Sequence, residues 1–296
     1  MRPWCSLATP TGLATRCCRM ARAGWLWMPL ADRKTSWSWV PAGPFAWQRV
    51  GRELQPRPYS PRLLRARRSF RELMGVDWAG MIIAIDGPAG AGKSTIARAL
   101  ASALGLIFLD TGAMYRAVAL ACLRGDVSAS DQEAVARMAS EVHLSFDDEG
   151  AIYLDGEPGE PDIRSEAVDE LVSPVAAIPA VRAAIVPKQH LVATRHGGLV
   201  AEGRDVTTVV FPEADFRFFL DASPRERARR RARQMGQLER VDEIERSLAR
   251  RDAIDSGRAD SPLRLGAGVT HLETDDLDAQ GVVDLILATV GARADD

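Results

Sequence analysis

The sequence predicts an α/β fold, a parallel β-sheet flanked by helices. Three observations carry the prediction. From Met81 onward, short apolar runs alternate with stretches of helical periodicity, the pattern of strand–helix units in a doubly wound parallel sheet. The first such run, Met81-Ile82-Ile83-Ala84-Ile85, ends at Asp86 and enters Gly87-Pro88-Ala89-Gly90-Ala91-Gly92-Lys93-Ser94, followed by Thr95. This fits G-x-x-x-x-G-K-[ST] between a strand and a helix, the setting a phosphate-binding P-loop needs. Charged residues close the later apolar runs, at Asp110, Arg204-Asp205 and Asp221, and ligands of open α/β sheets sit at the carboxyl ends of the strands.

Each element has its own signal. After the loop, Ile96, Ala97, Leu100 and Leu104 recur at helical spacing. Residues 106–109 read as a second strand, and Asp110-Thr111-Gly112 turns into a helix over 113–123. A helix over 131–140 follows, with Ser130 or Asp131 as its cap. Residues 142–146 alternate, 147–150 turn, and 151–154 alternate again, a β-hairpin signal. The hairpin interrupts the strand–helix rhythm and marks an inserted subdomain, about 141–196. Its helices cover 164–177 and 179–196, with Pro179 suited to a first helical turn. Leu199-Val200-Ala201 is a buried strand ending in Glu202-Gly203-Arg204-Asp205, and 216–220 is another, ending at Asp221. Two highly charged helices span 223–235 and 240–257, before a strand at 269–273 and an amphipathic helix at 277–290.

Composition divides the 296 residues into two materials. Residues 1–80 carry 14 Lys and Arg against 4 Asp and Glu, whereas 81–296 carry 24 against 36. The first segment also holds all seven tryptophans and no lasting helical or strand period. It reads as an upstream extension, the natural start being Met81 or Met74, as an arginine-rich targeting segment, or as a basic arm for nucleic acid. The first reading is preferred, because Met81 stands immediately before a strand and the segment has neither an apolar h-region nor a repeated amphipathic face. The expected domain is 81–292, with 1–80 a disordered extension or a mis-assigned start. No apolar run approaches the roughly 18–20 residues of a membrane span. Cys5, Cys17, Cys18 and Cys122 and the four histidines have no metal-ligand spacing, which suits a reducing compartment and no zinc.

The loop's residue types explain its chemistry. Gly87, Gly90 and Gly92 let the backbone curl round a phosphate chain, so that loop N–H groups and the helix N-terminus face the anion. Lys93, one of only three lysines with Lys34 and Lys188, reaches the terminal phosphates, and the Ser94 hydroxyl can ligate Mg²⁺. With no asparagine in the chain, the N-K-x-D motif of a guanine-reading GTPase is absent, and the length after Met81 suits a small-molecule kinase. Transfer between two phosphates needs positioning and positive charge rather than a nucleophilic side chain or strong base. Arginine supplies both, since its fork binds phosphate oxygens in pairs. Most of Arg225, Arg227, Arg229, Arg233 and Arg246 read as a solvated face with i,i+4 pairs. Arg251, Asp255 and Arg258 share one helical face, where a carboxylate framed by two arginines can hold a ribose hydroxyl and a phosphate.

From Met81 to about Val290 the chain resembles the bacterial cytidylate kinases. The resemblance rests on IDGPAGAGKST at 85–95, LDTGAMYRA at 109–117, SPVAAIPAVR at 173–182, EGRDVTTVVFPEA at 202–214, FFLDASPRERARRR at 218–231 and RRDAIDSGR at 250–258. It implies a cytosolic monomer of P-loop NTPase type, with an NMP-binding insert and a helical lid, that transfers the γ-phosphoryl of ATP to CMP or dCMP with Mg²⁺. Gly87, Pro88, Ala89, Gly90, Ala91, Gly92, Lys93, Ser94 and Thr95 would hold ATP. Thr111, Arg116, Arg204 and Arg258 would contact the acceptor phosphate, and Lys93, Arg116, Arg204 and Arg258 would carry the transfer. Ser173, Arg182 and Asp205 would read cytosine, and Arg251 and Asp255 would hold the sugar. Ser173 also reads as a helix cap before Pro174, Asp205 as an ion-pair partner of Arg204, and Asp110 and Asp221 as strand-end or magnesium-shell groups. Thr207 departs from the glycine usual at its position, where a side chain is expected to crowd the backbone. The lid, about 223–240 with Gly236 as hinge, would reach ATP through Arg227, Arg230 or Arg231. The alternatives are the same fold with another acceptor (UMP, AMP or shikimate) and a nucleic-acid-binding ATPase, against which the acidic remainder argues.

Overall fold

The computed structural model describes residues 47–50, 53–56, 80–147 and 150–294. Apart from 47–50, 53–56 and residue 80, the stretch on which the extension reading falls lies outside the described residues, as do positions 148 and 149 of the turn at 147–150. The chain forms two units, 1–64 and 65–296. In the first, β1 (Trp47–Val50) pairs antiparallel with β2 (Glu53–Pro56), a hairpin in a segment where no strand was expected.

The second unit is built on five parallel strands: β3 (Ile82–Asp86), β4 (Ile107–Asp110), β8 (Leu199–Glu202), β9 (Phe216–Asp221) and β10 (Thr270–Glu273). Their order is β10-β9-β3-β8-β4, with β3 in the centre. Strand periodicity sorts the side chains of β3 to two cores. Ile83 and Ile85 meet α1 (Lys93–Leu104) and α8 (Ala279–Ala294), among Ile96, Leu100, Leu104, Val283 and Ile286. Ala84 meets the other face, with Leu109, Ala201, α2 (Thr111–Arg124) and α3 (Gln132–Glu141). Both sheet faces are covered, which is why the central strands read as continuous apolar runs rather than alternating ones.

Between α3 and β8 lie a second sheet and two helices. Strands β5 (Leu144–Phe146), β6 (Ile152–Leu154) and β7 (Glu157–Pro158) form a separate antiparallel sheet, one strand more than the expected hairpin. Helices α4 (Glu166–Ala176) and α5 (Pro179–His196) follow, and their Val168, Val172, Val175, Val181 and Ile185 share the core of α2 and α3. Pro179 occupies the first turn of α5 as expected. Among the described residues no single helix is long and apolar enough to cross a membrane; α4 and α5 pass that test only as a pair bent by 99°.

Local chemistry sets the helix ends. The Asp110 carboxylate accepts from Ala113 N at 2.8 Å to start α2, and Asp131 accepts from Ala134 N at 3.0 Å to start α3, satisfying donors that have no partner within the helix. After β9, α6 (Pro224–Met235) and α7 (Val241–Gly257) form an arginine-rich pair over a small core of Ala89, Ala228, Ala232, Ile244 and Leu248. That core includes a P-loop residue, so this helix pair is packed directly against the loop.

Candidate active site

The turn from β3 into α1 is tight. Gly87 has φ +150° and Gly92 φ +92°, and a Cβ on Gly87 would stand 2.0 Å from the Leu220 carbonyl oxygen of β9. No other residue fits there. Behind the loop, Arg227 is buried: it donates to the Ala89 and Ala222 carbonyls, each at 3.0 Å, and pairs with Asp252. Asp252 in turn accepts from Ala89 N at 3.2 Å. Arg227 is thus neither a solvated-face arginine nor a free lid contact, but a brace under the loop.

Lys93 is buried and donates to the Pro88 carbonyl at 2.8 Å. Burial, then the neighbouring Arg204, brings its pKa down to about 7. Ser94 donates to Glu202 Oε1 at 2.5 Å. Glu202 closes β8 directly opposite Asp110 of β4. Burial and then Asp110 raise the Glu202 pKa. Asp110 is also buried, yet Arg164 at 2.8 Å outweighs that and holds it below the usual range. Asp221 lies apart, its carboxylate accepting from Ala222 N and 3.7 Å from His271.

Thr207 does not crowd its surroundings. It is fully buried, and its hydroxyl donates to Asp86 Oδ2 at 2.5 Å, beside donation from Thr207 N at 2.7 Å and Val206 N at 2.8 Å. The residue that ends β3 is thereby tied to the turn that carries Arg204 and Asp205. Burial raises the Asp86 pKa despite these donors.

Across from the loop is a wall of side chains from five elements. Thr111 donates to the Glu202 carbonyl at 2.7 Å, and Arg116 to the Ile163 carbonyl at 2.9 Å. Asp255 accepts from Arg204 Nε at 2.9 Å and from Ser173 Oγ at 3.0 Å, and pairs with Arg258. Ser173 therefore lies inside α4 as an acceptor-facing donor and is not a helix cap. Arg258 follows α7 in extended backbone rather than within the helix, yet still meets Asp255. Deepest, Arg182 pairs with Asp205, which takes the place of the expected Arg204–Asp205 pair. Burial pushes Asp205 up to about 6, against the pull of Arg182. Arg182 Nε and Nη1, the Tyr115 hydroxyl and both polar atoms of Gln189 are buried there without hydrogen-bond partners.

One cavity of about 1140 Å³ joins loop and wall. Residues 89–95, Thr111, Arg116, Ser173, Arg182, Arg204, Asp205, Arg251, Asp255 and Arg258 all line it, while Gly87 and Pro88 shape the turn from behind. Arg230, Arg231 and Arg233 of α6 line it too. Of these, Arg230 is held by Thr274, its Nη1 donating to the hydroxyl at 2.9 Å. Glu202, Asp169, Asp252 and Arg164 were not singled out from sequence; only Glu202 left a signal, as an acid closing a buried strand.

Residues 83–292 match the family model of cytidylate kinase. The chain belongs to the cytidylate kinase family. It is 46% identical over 217 residues to the cytidylate kinase of Pelotomaculum thermopropionicum, covering 71% of this chain and 96% of that one. It is 43% identical over 223 residues to that of Mycobacterium avium, covering 73% and 98%. A bifunctional pantoate ligase/cytidylate kinase of Synechococcus is 44% identical over 215 residues, which make up 70% of this chain and 40% of that longer one. As a member of the cytidylate kinases the chain is a nucleoside monophosphate kinase, a phosphotransferase of P-loop fold.

Proposed function

We propose that the chain transfers the γ-phosphoryl group of ATP to CMP and dCMP, giving CDP and dCDP. One observation supports this most: a single cavity runs from the P-loop to the buried Arg182–Asp205 pair. Cytosine offers an amino donor at N4 and acceptors at N3 and O2. The Asp205 carboxylate accepts from the first, and the unpartnered Arg182 N–H groups donate to the others. Uracil reverses the polarity at two of these positions, and an unpaired buried polar group costs roughly 1–3 kcal/mol. Ser173 adds a hydroxyl to base reading, and Arg251 and Asp255 hold the sugar.

The loop backbone at 87–95 and Lys93 hold the ATP phosphates. Thr111, Arg116, Arg204 and Arg258 gather the acceptor phosphate. Its oxygen is already anionic, so these cations lower the barrier by placing the two phosphates in line and stabilising charge as it shifts. For Mg²⁺ the donor set fits: a hydroxyl, Ser94, backed by the Glu202 and Asp110 carboxylates, suits a small hard cation that keeps several waters. When bound, the ion would neutralise phosphate charge.

The same reading takes residues 141–196 as the acceptor-binding insert and 223–240 as a lid over ATP, within a cytoplasmic monomer. Water exclusion by such a lid limits wasteful hydrolysis. The test is an acceptor screen by ADP release, with CMP, dCMP, UMP, AMP and shikimate. The reading expects CMP and dCMP well ahead, and a preference for any other acceptor would replace it.

A further inference from the structure

The arginines on the acceptor wall crowd one another. Arg251 is brought down to about 10 by burial and then by the charges of Arg204 and Arg116. Besides Asp205, which holds Arg182, two carboxylates hold the wall together. Asp255 serves Arg204 and Arg258. Asp169 of α4 serves three others: it pairs with Arg116 of α2, with Arg231 of α6 at 3.0 Å and with Arg251 of α7 at 3.3 Å.

Asp169 does not line the cavity, whereas its three partners do. Arg116 has a second anchor in the Ile163 carbonyl. Arg231 and Arg251 make no other hydrogen bond or ion pair among the described residues, and Arg251 Nε is buried without a partner. Burial acts to raise the Asp169 pKa, but Arg116, Arg251 and Arg231 outweigh it and hold the group below the usual carboxylate range. It therefore stays ionised at neutral pH.

We propose that Asp169 is a positioning residue for the transfer, acting through Arg231 and Arg251. One carboxylate fixes where the α6 guanidinium can meet phosphate oxygens and the α7 guanidinium the sugar, and it ties α6 to the acceptor side of the cavity. Without it, mutual repulsion and side-chain entropy carry both arginines toward solvent, and the alignment they provide is lost. The inference rests on CMP as the acceptor.

The test is a mutant cycle in the full chain, reading kcat and KM with CMP and ATP varied. Asp169→Asn lowers kcat/KM for CMP by about tenfold, the scale of a lost charge-assisted hydrogen bond. Asp169→Glu, which keeps the charge, recovers most of that loss. In the Arg231→Ala, Arg251→Ala background, Asp169→Asn changes the rate by less than about twofold, because its route of action is gone. A thermal melt of each variant separates misfolding from misplacement. An equal loss in both backgrounds, no loss at all, or failure of Asp169→Glu to recover activity would overturn the proposal. If the unmodified chain phosphorylates no CMP, the acceptor reading has failed instead, and the same cycle is run with the acceptor that the screen finds.

Discussion

The two sides of the cavity are made of different materials. The side proposed to hold the donor is backbone: eight consecutive residues from Gly87 curl between a strand and a helix, and their shape follows from glycines with positive φ and one close approach to Leu220. The proposed acceptor side is side chain: Arg116, Ser173, Arg182, Arg204, Asp205, Arg251, Asp255 and Arg258 come from elements far apart in sequence, and pairs such as Arg182–Asp205 and Arg204–Asp255 join them across the chain. A backbone site is stiff because covalent geometry makes it so. A site of guanidinia is stiff only where carboxylates neutralise it, and Asp169, Asp205 and Asp255 do that here.

If this division is right, the donor side should fail most completely when its single indispensable side chain is removed. Lys93→Ala should lower kcat by about 10³-fold, at the upper end for loss of one preorganised donor to a developing charge. The fold should survive, because the substitution removes a buried charge that burial already disfavours. Steady-state rates beside a thermal melt check both halves; a fall of less than tenfold would mean that the loop backbone suffices alone.

The acceptor side should instead fail through partners left behind. Arg182→Met leaves Asp205 buried without its cation. Truncating one member of such a pair costs about 2–5 kcal/mol, so kcat/KM for CMP should drop by about 10²-fold while KM for ATP stays nearly constant. Equal loss toward both substrates would break the separation between the two sides.

The same division explains what could be read from sequence. The strands expected at 81–85 and 106–109 follow from local periodicity and lie one residue later, at 82–86 and 107–110, while the helix after the loop and Pro179 at the start of α5 stand where expected. Family resemblance points to the residues of the facing wall, but not to their pairing. That Asp205 belongs to Arg182 and Arg204 to Asp255 depends on how α5, α7 and β8 converge, which no local pattern encodes. Asp169 left no trace, because an aspartate on a helix surface is ordinary until three arginines from elsewhere reach it. Arg227 departs from pattern for the converse reason: the solvated-face spacing holds for Arg225 and Arg229, but Arg227 turns inward to donate to the Ala89 carbonyl.

Thr207 joins the two sides and measures how firmly. Thr207→Val keeps its volume and removes the hydroxyl donated to Asp86. A lost hydrogen bond to a charged group costs about 2 kcal/mol, about 30-fold in the folding equilibrium, and Thr207→Ser should recover most of it. Urea unfolding of the three proteins reads the difference. A neutral valine variant would show that the backbone donors of residues 206 and 207 hold Asp86 unaided.

The smallest expected effect concerns the base. Asp205 titrates near about 6, above the ordinary aspartate value of 3.8, chiefly because it is buried. The folded state thus holds this proton more tightly than the unfolded chain between about pH 4 and about pH 6, and the site's contribution to stability falls as pH rises through that window. Recognition runs the other way. A cytosine amino group needs the ionised carboxylate as acceptor, so kcat/KM for CMP, which reports the free enzyme, should fall about tenfold from about pH 8 to about pH 5. The protonated carboxyl becomes a donor, which suits the O4 acceptor of uracil. The CMP preference over UMP should therefore narrow on acidification by more than the CMP rate alone falls. Asp205→Asn, which offers an amide donor at every pH, should show a narrowed preference without that pH dependence. A preference ratio that holds constant across the range would mean that Asp205 orients Arg182 and leaves reading of the base to the guanidinium.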